Sequence, residues 1–175
     1  MNQSIIMKER AFIALTNTFR DKLFRLSKRL LVSREEAEDA TQEVLLKLWR
    51  NKAKIKEYKN VEAFAMTMTK NYCYDKLKSK ETGNLKIVHS NYEDGQVSLQ
   101  RQVESKDSLS WVEKIMNDLP EQQRMIVQLR DIEQYDNKEI AKMLEMNETA
   151  VRVSLSRARK TIREELTKKH NYGVV

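Results

Sequence analysis

The sequence lacks most of what punctuates a β-rich chain. Its 175 residues hold three glycines and one proline, so tight strand-joining turns are short of their usual residues and an all-α chain of small helical domains is expected. A single cysteine, Cys73, excludes an intrachain disulfide framework and a thiolate zinc cluster, and suits a reducing cytoplasm. The two histidines, His89 and His170, have no metal-ligand spacing, so no metal is expected. No apolar run approaches the roughly 18 residues of a membrane span, and Met1–Arg10 lacks the apolar stretch of a secretory signal. There is no phosphate-binding glycine loop and no nucleophile with a base close in sequence. The reading is a non-enzyme without a cofactor.

Charge is what the chain has in plenty. Charged residues make up 34%, against roughly 25% in an ordinary soluble domain. The net charge of +7 points to a polyanionic partner. Its placement says more than its total: residues 1–80 carry +8, residues 81–120 carry −3 and residues 121–175 carry +2. Two basic modules flanking an acidic linker are expected. The corresponding division is 1–80, a linker at 81–107, a second module at 108–168 and a tail at 169–175.

Hydrophobic spacing supplies the helices. Phe12, Leu15, Phe19, Leu23, Leu26 and Leu30 recur at three and four, predicting one helix from about Ser4 to Leu31. Ser33 and Glu36 form a capping-box pattern before a second helix. In it Ala37, Ala40, Val44 and Leu48 face inward and Asp39, Gln42, Glu43 and Leu46 outward. A lysine-rich connection, Arg50–Asn60, leads to a third helix with Val61, Phe64, Ala65, Met68 and Tyr72 as its stripe. Periodicity lapses from Glu81 to about Asp107 and returns with Val112, Ile115, Met116 and Leu119. Pro120 then opens a helix carrying Ile126 and Leu129 inward.

Asn137–Ile162 reads as a helix-turn-helix. Ile140, Ala141 and Leu144 face inward on the first helix, and Ala141 allows a close crossing. After the turn Glu145-Met146-Asn147, Asn147 caps a second helix that buries Val151, Leu155, Ala158 and Ile162. Its outward side presents Thr149, Arg152, Val153, Ser156 and Arg157. Arginine forks onto guanine edges, hydroxyls donate or accept, and valine meets a thymine methyl. Arg159, Lys160 and Arg163 suit phosphates, which set affinity rather than sequence choice.

The order Leu119-Pro120-Glu121, Gln123-Arg124, Asn137-Lys138-Glu139-Ile140-Ala141 and Val151-Arg152-Val153-Ser154-Leu155-Ser156-Arg157-Ala158-Arg159 resembles region four of bacterial extracytoplasmic-function sigma factors, members of the sigma-70 family. Ala37-Glu38-Asp39-Ala40-Thr41-Gln42-Glu43-Val44, Leu48-Trp49 and Phe64–Tyr72 resemble their region two. The resemblance implies an alternative sigma factor with core RNA polymerase and promoter DNA as partners and an anti-sigma factor as regulator. It places Asp39, Gln42, Glu43 and Leu46 against the polymerase clamp helices, and the third helix with its preceding loop on the melted minus-ten element. The second helix of the C-terminal module falls on the minus-thirty-five element. Bases stack on exposed rings while lysines neutralise phosphates. Lys56, Tyr58, Lys59, Asn60, Lys70, Asn71, Tyr74 and Lys78 are therefore the candidates for the melted strand, with Lys52, Lys54 and Lys76 nearby. The sequence departs from the family at Glu145, where glycine is common in the turn. Two other readings compete: a regulator that binds duplex without being a polymerase subunit, and a helical adaptor that binds only protein.

Overall fold

The computed structural model describes residues 8–31, 33–83 and 103–172. Among them there is no strand. The helices are α1 (Glu9–Asn17), α2 (Arg20–Leu31), α3 (Arg34–Arg50), a 3-10 segment (Lys52–Glu57), α4 (Val61–Gly83), α5 (Val103–Asp118), α6 (Glu121–Val127), a π turn (Gln128–Ile132), α7 (Asn137–Met143) and α8 (Glu148–Tyr172). They fall into two compact units, Met1–Ile87 and Val88–Val175. The expected linker from 84 to 102 and the last residues of the tail lie outside the described residues.

In the first unit α2, α3 and α4 pack on one another. Leu23 and Leu26 of α2 and Ala37, Ala40, Val44 and Leu48 of α3 are buried as the periodicity predicts. The single helix expected over Ser4–Leu31 is, within the described residues, two. At the break, Thr18–Phe19, Thr16 Oγ1 donates to the Phe12 carbonyl (3.0 Å) and Thr18 Oγ1 to that of Leu15 (2.7 Å), but Thr41 and Thr69 make the same kind of bond inside unbroken helices. Phe19 sits in the turn and is fully buried.

The stripe expected for α4 is rotated. Its buried residues are Ala65, Met66, Thr69 and Cys73, while Phe64, Met68 and Tyr72 are half-buried at the margins. Small side chains admit close approach of α2 and α3, so the bulkier ones sit at the rim. Burial is the main cause pushing the Cys73 thiol up to about 11, so it is a packing residue.

In the second unit Ile115 and Met116 of α5, Leu119 just after it, Met125, Ile126 and Val127 of α6, Ile140, Ala141 and Met143 of α7 and Val151, Leu155 and Ala158 of α8 form the core. Pro120 is the N-cap of α6. At the start of α7, Asp136 accepts from Glu139 N (2.7 Å) and Asp136 N donates to Glu139 Oε2 (3.2 Å), a full capping box. Asn147 Oδ1 accepts from Ala150 N (2.7 Å), so Asn147 caps α8 as its type predicts.

Two features of this unit escape a periodicity reading. After α6 the ladder loosens into a π turn, with Glu133 N donating to the Gln128 carbonyl at 3.0 Å. Inside it Gln128 Nε2 donates to Glu133 Oε1 (2.9 Å), and Glu133 is only 1% exposed. The turn after α7 is a Schellman motif: Met146 N donates to the Ala141 carbonyl (2.9 Å) and Glu145 N to that of Lys142 (3.4 Å). Glu145 there has φ 56°, and Gln134 has φ 65°. A side chain in the left-handed region costs about 1 kcal/mol. Glu145→Gly should therefore stabilise the second unit by up to about 0.6 kcal/mol, the greater freedom of glycine in the unfolded chain offsetting much of the gain. Chemical denaturation of both proteins checks this; an unchanged or lower midpoint would count against strain at this turn.

Candidate nucleic-acid and polymerase interfaces

The outward side of α3 carries the four residues assigned to polymerase. Asp39 and Gln42 are exposed, Glu43 is half-buried and Leu46 is 39% exposed, a high value for leucine. Their spacing of three, one and three keeps them on one side of the helix. Tyr72 of α4 adjoins them. Its hydroxyl is held above the usual phenol range by burial first, then by the charges of Glu43 and Asp39. Lys47 Nζ lies 4.8 Å from its ring centre. The result is an acidic rim around an apolar and aromatic patch, a composition suited to a basic partner. Tyr72 was expected in the core, and only the packing of α4 on α3 reveals it here.

The second surface is built on α4 and the 3-10 segment. With Ala65, Met66, Thr69 and Cys73 buried, the opposite side of the helix carries Phe64, Thr67, Asn71, Tyr74 and Lys78, with Lys70 flanking. Tyr58 stacks on Phe64 with ring centres 4.0 Å apart and planes 14° from parallel. The ring expected to stack on bases is therefore anchored at the head of this side, and Phe64, read from the sequence as a stripe residue, is its support. Lys52 Nζ sits 3.5 Å above the Trp49 ring, whose edge contacts Phe12, so that lysine braces the 3-10 segment. Asn60, a candidate for the melted strand, accepts from Ala63 N at its Oδ1 (3.0 Å), so it caps the start of α4. Lys76 Nζ lies 3.9 Å from Glu36 Oε1. Lys59, Asn71 and Lys78 are exposed, Lys70 and Tyr74 half-buried; the Lys56 side chain lies outside the described residues.

The third surface is α8. Val151, Leu155 and Ala158 are buried, and Thr149, Arg152, Val153, Ser156, Arg157 and Lys160 are exposed, Val153 to 43%. Arg152 donates to Glu148 Oε1 (3.1 Å) and Thr149 Oγ1 (3.3 Å), and Lys160 Nζ lies 3.8 Å from Glu164 Oε1. Exposed pairs within one helix contribute about 0.3–0.5 kcal/mol, little enough for DNA to displace them. Arg159 differs. Both its Nε (3.1 Å to Oδ2) and a terminal nitrogen donate to Asp131 of the π turn, and these bonds raise the pKa of its guanidinium. An arginine read from the sequence as a phosphate contact is here engaged within its own unit, because a helical wheel shows where a side chain leaves the helix and not what stands beside it.

Residues 15–82 match the family model described as Sigma-70 region 2, and residues 109–162 that described as Sigma-70, region 4. A solved structure of the sigma factor RpoE in complex with the anti-sigma factor NepR from Bartonella quintana is similar, with a TM-score of 0.68 at 20% identity, over 90% of this chain and 98% of that one. Another, of CnrH in complex with the cytosolic domain of CnrY, has a TM-score of 0.67 at 16% identity, over 95% of this chain and 94% of that one. At these identities the likeness is one of fold. Comparison with curated protein sequences returns no match.

Proposed function

The chain belongs to the sigma-70 family, carrying regions 2 and 4 in order, and from that premise we propose that it is an alternative sigma factor of extracytoplasmic-function type. It binds core RNA polymerase and directs promoter-specific initiation of transcription. The observation that carries this is the match of two separate regions to two separately folded helical units. The Asp39, Gln42, Glu43 and Leu46 side of α3 docks on polymerase. The Tyr58–Phe64 stack, with Lys59, Lys70, Asn71, Tyr74 and Lys78, captures the melted minus-ten strand; region 4 reads the minus-thirty-five duplex through Thr149, Arg152, Val153, Ser156 and Arg157, with Lys160 on the backbone. Polymerase supplies the catalysis and this chain supplies position. It works in the cytoplasm, and an anti-sigma factor holds it in check, as a similar fold occurs in complex with such a protein. Among the described residues no helix is long and apolar enough to cross a membrane.

Promoter-directed RNA synthesis with purified core polymerase tests the reading. Duplex binding without core-dependent initiation would replace it with a free-standing regulator, and loss of all nucleic-acid binding with a protein adaptor. Within region 4, Arg152→Ala should cost about 1–3 kcal/mol on the cognate duplex and relax preference at one position. Lys160→Ala should weaken all duplexes alike. Equal losses on every sequence for both variants would sink the base-reading assignment.

A further inference from the structure

The DNA-facing helix spends one of its cations inside its own unit. By helical position Arg152, Arg159 and Arg163 line one flank of α8, each about 80–120° from the centre of the buried stripe. Arg152 has its partners on α8 itself, at Glu148 and Thr149. Arg159 has its partner 28 residues earlier, on a different element. The Asp131 side chain is 33% exposed, more recessed than Glu148 at 46%, and it accepts two hydrogen bonds from one guanidinium. Bidentate pairs of this kind are stronger and more directional than single contacts. Asp131 lies within the π turn, which closes with a fifth-residue hydrogen bond from Glu133 N to the Gln128 carbonyl.

We propose that Asp131 limits DNA affinity by withholding Arg159 from the phosphate backbone. This rests on α8 being the duplex-binding helix. A phosphate contact strengthens binding to every sequence, including the large excess of irrelevant DNA in a genome. Holding one arginine back keeps that common contribution low and leaves occupancy to the base-reading side chains. The same pair braces α8 against the π turn, so one carboxylate both fixes the helix and sets its charge.

The test uses the full chain on duplex-DNA cellulose, eluted with a salt gradient, together with equilibrium binding to a random-sequence duplex at several salt concentrations. Asp131→Asn should elute later than wild type and later than Glu121→Gln, which removes the same charge at an exposed position on α6. Its plot of log affinity against log salt should steepen by about one unit, as one further phosphate contact requires. Asp131→Asn/Arg159→Gln should return to the wild-type position. Coincidence of Asp131→Asn with Glu121→Gln overturns the proposal. So does a double variant eluting well before wild type, since Arg159 would then already be on DNA. If the asparagine variant melts early, Asp131→Ser provides the same comparison. Lys160→Ala tests the underlying reading separately: unchanged retention there would remove α8 from the duplex, whatever Asp131 does.

Discussion

Val151→Asp is expected to unfold the second unit and leave the first intact. Val151 is 0% exposed in the first turn of α8, the helix that packs on α7. A carboxylate placed there has no cation to pair with in the apolar core, and burying it costs several kcal/mol. A unit of about this length is stable by roughly 4–10 kcal/mol, so the substitution consumes most or all of that margin. Far-UV circular dichroism should show helix loss confined to part of the signal, with the melting of the remainder unchanged. Promoter-directed transcription that depends on the upstream duplex should vanish while binding to core polymerase persists. Loss of polymerase binding as well would mean that docking needs the second unit.

Asp39→Lys should have the next largest effect, on polymerase affinity. Asp39 is exposed beside Glu43 and Leu46, so the change should leave folding within about 0.5 kcal/mol of wild type. If the acidic rim meets basic groups on the polymerase, the reversal replaces an attraction by a like-charge contact, and such contacts cost several kcal/mol when desolvated. A loss of about 10–100-fold in affinity, or about 1.4–2.8 kcal/mol, is expected in competition against a labelled wild-type chain. Leu46→Ala should weaken docking less, by the value of its exposed apolar area. Wild-type affinity for Asp39→Lys would move the docking site off this side of α3.

Much of the fold was legible because apolar spacing carries it. Ala37, Ala40, Val44 and Leu48 announce the inward side of α3, and Val151, Leu155, Ala158 and Ile162 that of α8; all are buried except Ile162, which is half-buried. α4 was harder, because its core residues include Ala65, Thr69 and Cys73, which a search for large apolar side chains passes over. The break at Thr18 and the π turn at Gln128–Ile132 depend on which carbonyl a hydrogen-bond donor finds, and no residue type encodes that.

The surfaces divide in the same way. Outward residues of α3 and α8 follow from helical geometry, and the positive φ at Glu145 falls where the family often places glycine. The Tyr58–Phe64 stack, the approach of Tyr72 to Asp39 and Glu43, and the Arg159–Asp131 pair each join residues from different elements. Such proximities follow from packing, so sequence periodicity alone is silent about them.

If Asp131 withholds Arg159 from DNA, the π turn makes chain length, as distinct from residue identity, a determinant of how DNA is met. Removing one residue from Gln128–Ile132 would let the ladder close as an ordinary α-helix, with no hydrogen bond lost along it. Because a π turn carries one extra residue through nearly the same rotation, the residues beyond the deletion would keep close to their orientation relative to α6, and the change would fall on the turn itself and on the placement of Asp131 against Arg159. A relative lacking that one residue would share almost all of this sequence, yet it would present α8 with an additional uncommitted arginine. Aligned by residue type alone, the two would look interchangeable, and the gap would be the only trace of the difference.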